Sequence, residues 1–258
     1  MYKLLLILLV VLPTRGYAKL SVEEVITKMR SIDVLLLSDH TLPGHLNLSS
    51  GGANGIEREF IDPAIVVARD YMQAQGLSSY ILNVEDMLSD KQIIKTKQEF
   101  DLAYGNYDKV LEAAVANKVT IISLHFDADI IMAEDYQEGT TYIGGAQIIL
   151  DARNVSPASF KLSYFMLHDY KLLESLNQAG FRIRPDYENA IRYQPNQTLH
   201  IIGGSPGGAF LLELAAQDQA IRLYRDAKGT AEALRPSLQI LAKGIEGFRR
   251  QMGLKLIQ

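Results

Sequence analysis

The dense apolar run Ile32-Asp33-Val34-Leu35-Leu36-Leu37 suits a strand buried on both faces, and it is the first of a series. Further strands are expected at residues 79–84, 119–125, 146–150, 200–203 and 209–214. Helical patterns lie between them. Residues 21–29 read as a short helix with Ser21 as its cap and Glu23-Glu24 in its first turn. Ala64, Val67, Ala68 and Tyr71 make a helical stripe, with Pro63 suited to the first helical position and Asp62 to the cap. Residues 107–116 and 157–179 also carry helical patterns. Leu234, Leu238, Leu241, Ile245, Phe248 and Met252 recur at steps of four and three along a last helix. Strands alternating with helices of this length predict an α/β fold: a mostly parallel sheet of about six strands with helices on both faces.

The two ends of the chain and its charge restrict what such a fold does. Residues 1–18 read as an export signal: Lys3 is basic, Leu4 to Leu12 is unbroken apolar sequence, and Gly16-Tyr17-Ala18 suits a cleavage site. The apolar run falls well short of the ~20 residues that span a bilayer. No stable membrane insertion is expected once the signal is removed, an uncleaved anchor being the alternative. Residues 19–258 then form a single domain in an exported, periplasmic setting. A net charge of -4 and the lack of a Lys/Arg run argue against a nucleic-acid partner. The chain has no Cys, so thiolate nucleophiles and Cys-based zinc sites are excluded, and any metal must be held by His and carboxylates.

In open parallel sheets, ligands sit outside the carboxyl ends of the strands. Polar residues that follow apolar runs are therefore the ones to inspect, and they fall in three places. The stretch from Ser38 to Gly55 is expected to be a loop; it carries His40 and His45 and leads to Glu57 and Glu59 in a Gly-rich setting. The run ending Ser123-Leu124-His125-Phe126-Asp127-Ala128-Asp129 places an imidazole at a strand end, with Asp127 and Asp129 at alternate positions beyond it. Asp127 is also suited to orienting the imidazole as an outer partner. In Ala209-Phe210-Leu211-Leu212-Glu213-Leu214, a carboxylate sits inside apolar sequence, which is costly unless it is paired, protonated or at an opening. Two imidazoles and a carboxylate from such loops match a catalytic zinc site with one position left for water. Glu213 is then suited to take that water's proton and pass it to a leaving amine. A closed structural site would need a fourth ligand, which His40 could supply.

These segments resemble a known family. Pro43-Gly44-His45, Gly52-Ala53 and Asn54-Gly55-Ile56-Glu57-Arg58-Glu59-Phe60 resemble the first metal segment of the zinc-dependent N-acetylmuramoyl-L-alanine amidases, the type 3 group. Ser123-Leu124-His125-Phe126-Asp127-Ala128 is similar to the second His segment, and Ala209 to Leu214 to the last strand with its catalytic Glu. The resemblance implies a six-stranded sheet, one zinc ion (Zn2+) and cleavage of the amide between N-acetylmuramic acid and L-alanine in peptidoglycan or muropeptides. It assigns His45, Glu57 and His125 to the metal and Glu213 to the general base. His40 directly follows the strand and competes with His45, which Gly44 and the downstream Gly52-Ala53 favour; Glu59 competes with Glu57. The chain departs from the family in Leu42, in Leu46-Asn47 after the His, in Asp127 where Asn is usual, and in Ala215-Ala216-Gln217-Asp218 after Glu213. A zinc amidohydrolase or carboxypeptidase acting on another small peptide, and a non-catalytic binder of wall fragments, are the competing readings. Met132 to Tyr142, rich in acidic residues, reads as an exposed acidic loop that needs no function, a regulatory cover over the cleft being the weaker alternative.

Overall fold

The computed structural model describes residues 20–38, 40, 51–52, 55–88, 94–127, 130–131, 141–185 and 191–257. The expected export signal at 1–18 and His45 lie outside them, as does nearly all of the 132–142 segment.

The main sheet is six-stranded. Its strands are β1 (Val34–Ser38), β2 (Ser79–Asn83), β3 (Thr120–Asp127), β4 (Gln147–Leu150), β5 (Arg192–Tyr193) and β6 (Ala209–Ala216). They lie in the order β2-β1-β3-β6-β4-β5. Neighbours run parallel except at β4, which is antiparallel to β6. The mostly parallel α/β sheet expected from the alternating pattern is the one observed.

The helices are α1 (Val22–Lys28), α2 (Glu57–Ala74), α3 (Lys97–Ala116), α4 (Pro157–His168), α5 (Leu172–Gln178), α6 (Gln197–Ile202), α7 (Gln217–Tyr224) and α8 (Ala227–Gln251). Because successive strand residues face opposite sides, the sheet feeds two separate cores. Val34, Leu36, Ile122, Leu124, Phe210 and Leu212 pack with α2, α4, α5 and α8. Leu35, Leu37, Ile121 and Leu211 pack with α1, α3 and α6. The stripe Leu234, Leu238, Leu241, Ile245 and Phe248 is fully buried in the first core.

Some elements differ from the sequence expectation. Residues 200–203 do not form a strand; they close helix α6, whose cap Asn196 accepts a hydrogen bond from the Leu199 N–H. An apolar run of that length has no periodicity of its own to tell strand from helix, and the Asn cap decides it. The sixth strand is instead the two-residue edge strand β5. Helix α2 begins at Glu57, not at Pro63, so Pro63 lies inside it. Asp62 is not a cap there but an i,i+4 partner of Arg58. Proline in that place leaves the carbonyl of Glu59 without its helical donor, a cost offset by the buried residues that follow. Residues 157–179 divide into α4 and α5 at Lys171, which has φ 50°. The chain between β1 and α2 contains a short antiparallel pairing of Gly51–Gly52 with Gly55–Ile56.

The far end of the sheet is fixed by one buried ion pair. Arg249 of α8 donates to an Asp33 carboxylate oxygen at 2.9 Å, to the Asp33 carbonyl at 2.8 Å and to Thr120 Oγ1 at 3.1 Å. Ile257 also donates its N–H to Asp33, at 3.1 Å. The last helix and the chain beyond it are thereby tied to the starts of β1 and β3, leaving the opposite, carboxyl ends of the strands open for chemistry.

Candidate metal centre

The carboxyl ends of β1 and β3 and the first residue of α2 meet at one point. His40 lies two residues beyond β1, Glu57 opens α2, and His125 is near the end of β3. His40 Nε2 is 3.0 Å from Glu57 Oε2, His125 Nδ1 is 2.8 Å from Glu57 Oε1, and the two nitrogens are 3.1 Å apart. Glu57 and His125 are buried, while His40 keeps some exposure. Among the described residues, this is the group of His, Cys, Asp and Glu whose ligand atoms all come together.

The donor set fits a divalent metal. Lone-pair atoms this close to one another need hydrogens on the imidazole nitrogens or a metal ion among them. Two imidazoles with one carboxylate is a ligand set that catalytic zinc uses. Tetrahedral ligands with bonds of about 2.0–2.1 Å stand roughly 3.3 Å apart, close to the spacing seen. With protons in place of metal, burial pushes the Glu57 carboxyl upward, but charge and hydrogen bonds from His125 and then His40 outweigh it and hold the group at about 2.

Each member is held by residues around it. Beyond the cluster, His125 Nε2 is 3.0 Å from Ser123 Oγ, two residues back on the same side of β3. With a metal at the cluster, Nδ1 would keep its lone pair for the site and Nε2–H would donate outward to the Ser123 hydroxyl. The Phe126 N–H donates to Glu57 Oε1 at 2.9 Å, and the Gln217 amide donates to the Phe126 carbonyl at 2.9 Å. Arg58 donates to the His40 carbonyl at 2.7 Å.

Glu213 is brought beside this group. It pairs in register with His125 on one side and with Gln147 on the other, so the three side chains leave the same face of the sheet. Just past it the register shifts by one residue before Ala216 pairs with Asp127. Such bulges re-aim side chains next to active sites. Gln147 is buried, donating to Asp127 at 3.2 Å and accepting from Arg192 at 3.3 Å. Asp127 also accepts from the Gly145 N–H at 3.1 Å, so it anchors the start of β4 as well as lying near the site.

The residues singled out from sequence thus fall into place unequally. Glu57 and His125 meet, and Glu213 stands beside His125 across the strand pair. Glu59 is exposed on the outer side of α2 and is not in the cluster. The second imidazole in the cluster belongs to His40; His45 and Asp129 are outside the described residues. Ser123, Arg58, Gln147 and Gln217 were not anticipated. Gln147 had a readable signal, a lone amide opening the apolar run to Leu150, and Ser123 had its spacing from His125.

No family model matches the chain, and no curated protein matches it. Solved structures do. The N-acetylmuramyl-L-alanine amidase Ami1 of Mycobacterium smegmatis aligns with 13% identity over 86% of this chain and 97% of its own, with a TM-score of 0.52. The fold is that of the N-acetylmuramoyl-L-alanine amidases. The CwlD amidase of Clostridioides difficile, solved in complex with the GerS lipoprotein, aligns with 13% identity over 85% of this chain and 98% of its own, with a TM-score of 0.50. The amidase fold is the one implied by the resemblance in the three sequence segments, and the match spans nearly the whole of both solved chains.

Proposed function

We propose that this chain is a zinc-dependent N-acetylmuramoyl-L-alanine amidase that is exported and acts on peptidoglycan or muropeptides in the periplasm. The observation that supports it most is the meeting of His40, Glu57 and His125 beside Glu213, at the carboxyl ends of the strands of an amidase fold. On this reading His40 Nε2, a Glu57 oxygen and His125 Nδ1 hold the metal, His40 standing where the Gly44-His45 pair favoured His45. A zinc ion bound there would supply Lewis-acid chemistry, acidifying a water and polarising the amide carbonyl.

The chain's own groups do the rest. Glu213 accepts the proton of the attacking water as its oxygen bonds to the lactyl carbonyl carbon. As the carbon–nitrogen bond breaks, Glu213 returns that proton to the departing amine, leaving a lactyl carboxylic acid and a stem peptide with a free L-alanine amino end. The Glu57 carboxylate would offset part of a bound ion's positive charge, and Ser123 holds His125 in place. No helix among the described residues is long and apolar enough to cross a membrane, and the Leu4 to Leu12 run supports export rather than anchoring.

Digestion of purified peptidoglycan, followed by mass spectrometry, tests the reaction. Stem peptides with free L-alanine amino ends are expected; peptides shortened from the carboxyl end would support the carboxypeptidase reading.

A further inference from the structure

We infer that Arg58 is a positioning residue for the metal centre, fixing the His40 backbone so that its imidazole meets Glu57 and His125. The inference rests on the metal-binding reading above and goes beyond it, since it assigns a role to a side chain that touches none of the ligand atoms.

Arg58 follows Glu57 at the start of α2, so one turn of helix presents both a proposed ligand and its neighbour's clamp. Its guanidinium is buried, with side-chain exposure of only 6%. Nη1 donates to the His40 carbonyl at 2.7 Å and to a Glu85 oxygen at 3.0 Å, while Nε donates to Asp62 at 2.5 Å. Glu85 is itself buried, in the 3-10 turn Val84–Met87 that follows β2. One planar fork therefore joins the first turn of α2, the chain after β2 and the chain after β1.

The geometry suits His40 in particular. Sheet pairing fixes β1 as far as Ser38, which pairs with Asn83. His40 lies beyond that pairing, and the Arg58 contact to its carbonyl takes over where the ladder stops. Two carboxylates hold the guanidinium charged against the cost of burial, and a rigid fork with fixed donors places a carbonyl better than an ammonium on a flexible stem. Outer partners of this kind change metal affinity by roughly 10–100-fold when lost.

The test is zinc affinity, measured by chelator competition, in wild type, Arg58→Gln, His40→Ala and the double variant, with folding checked by circular dichroism. Arg58→Gln is expected to weaken zinc binding roughly 10–100-fold, and the same change in the His40→Ala background to cost almost nothing more, because the clamp then has no ligand to place. Equal affinity in wild type and Arg58→Gln, or an equal loss in both backgrounds, overturns the inference. Should Arg58→Gln not fold, Arg58→Lys, which keeps a charge for Glu85, replaces it in both backgrounds; a weakening confined to the His40 background is expected, and wild-type affinity overturns the inference. Wild type that binds no zinc overturns instead the metal-binding reading on which it stands.

Discussion

Glu57 gives one carboxylate oxygen to each of two imidazoles, and this division decides what single substitutions do at the site. His40→Ala removes a donor and is expected to weaken zinc binding, leaving zinc well below one per chain after purification, whereas His45→Ala is expected to keep near-stoichiometric zinc; metal analysis after purification without chelator compares the two. The reverse result would restore the assignment read from the Gly44-His45 pair. Glu213→Gln keeps the ligands and removes the base, so bound zinc with turnover reduced by about 100-fold or more is expected. Turnover like wild type in that variant removes Glu213 from the reaction. Glu57, His125 and Glu213 could be singled out from sequence because His125 closes an apolar run, Glu213 interrupts one, and Glu57 follows a Gly-rich stretch. The choice between His40 and His45 was not legible, because a Gly-rich stretch carries no period from which direction can be read. Arg58 was hidden for another reason: two of its three partners, the His40 carbonyl and Glu85, come from segments that only the fold brings together.

At the scale of elements, the sheet was readable from runs buried on both faces, and the last helix from its stripe. Misreadings came where one local signal outweighed another. Pro63 suggested a helix start, yet Glu57 and Glu59 occupy the first turn, where acidic side chains complement the positive helix end. Residues 200–203 looked apolar enough for a strand, but Asn196 caps them into α6. Asn196→Ala is accordingly expected to cost about 1 kcal/mol, through loss of the capping bond to Leu199. The tie between α8 and β1 is larger. Arg249→Met leaves Asp33 buried without its guanidinium, and a loss of roughly 3–5 kcal/mol in urea unfolding is expected. A change below about 1 kcal/mol would mean the pair contributes little beyond its own desolvation.

For the whole molecule, the consequence most open to measurement is the pH dependence of stability. Asp151 is fully buried; hydrogen bonds from the Arg153 side chain, then from the Arg153 and Asn196 N–H groups, hold its carboxyl well below the usual range against the cost of burial. A carboxyl depressed in the folded state stabilises it above the unfolded value of about 3.9, and that contribution fades as pH falls below there. In metal-free protein Glu57 acts the same way, from its unfolded value near 4.3 down toward 2. Unfolding midpoints are therefore expected to fall steeply below about pH 4; a midpoint unchanged from about pH 5 down to about pH 3 would contradict the pairing of these groups.

Metal binding and amide cleavage are expected to occur together. Zinc content and peptidoglycan digestion measured on one preparation, before and after chelation and after zinc is restored, address both. The expected result is near-stoichiometric zinc with release of stem peptides bearing free L-alanine amino ends, lost on chelation and recovered on reloading. Protein that is folded, holds no zinc, and releases no such peptides when zinc is supplied would contradict it.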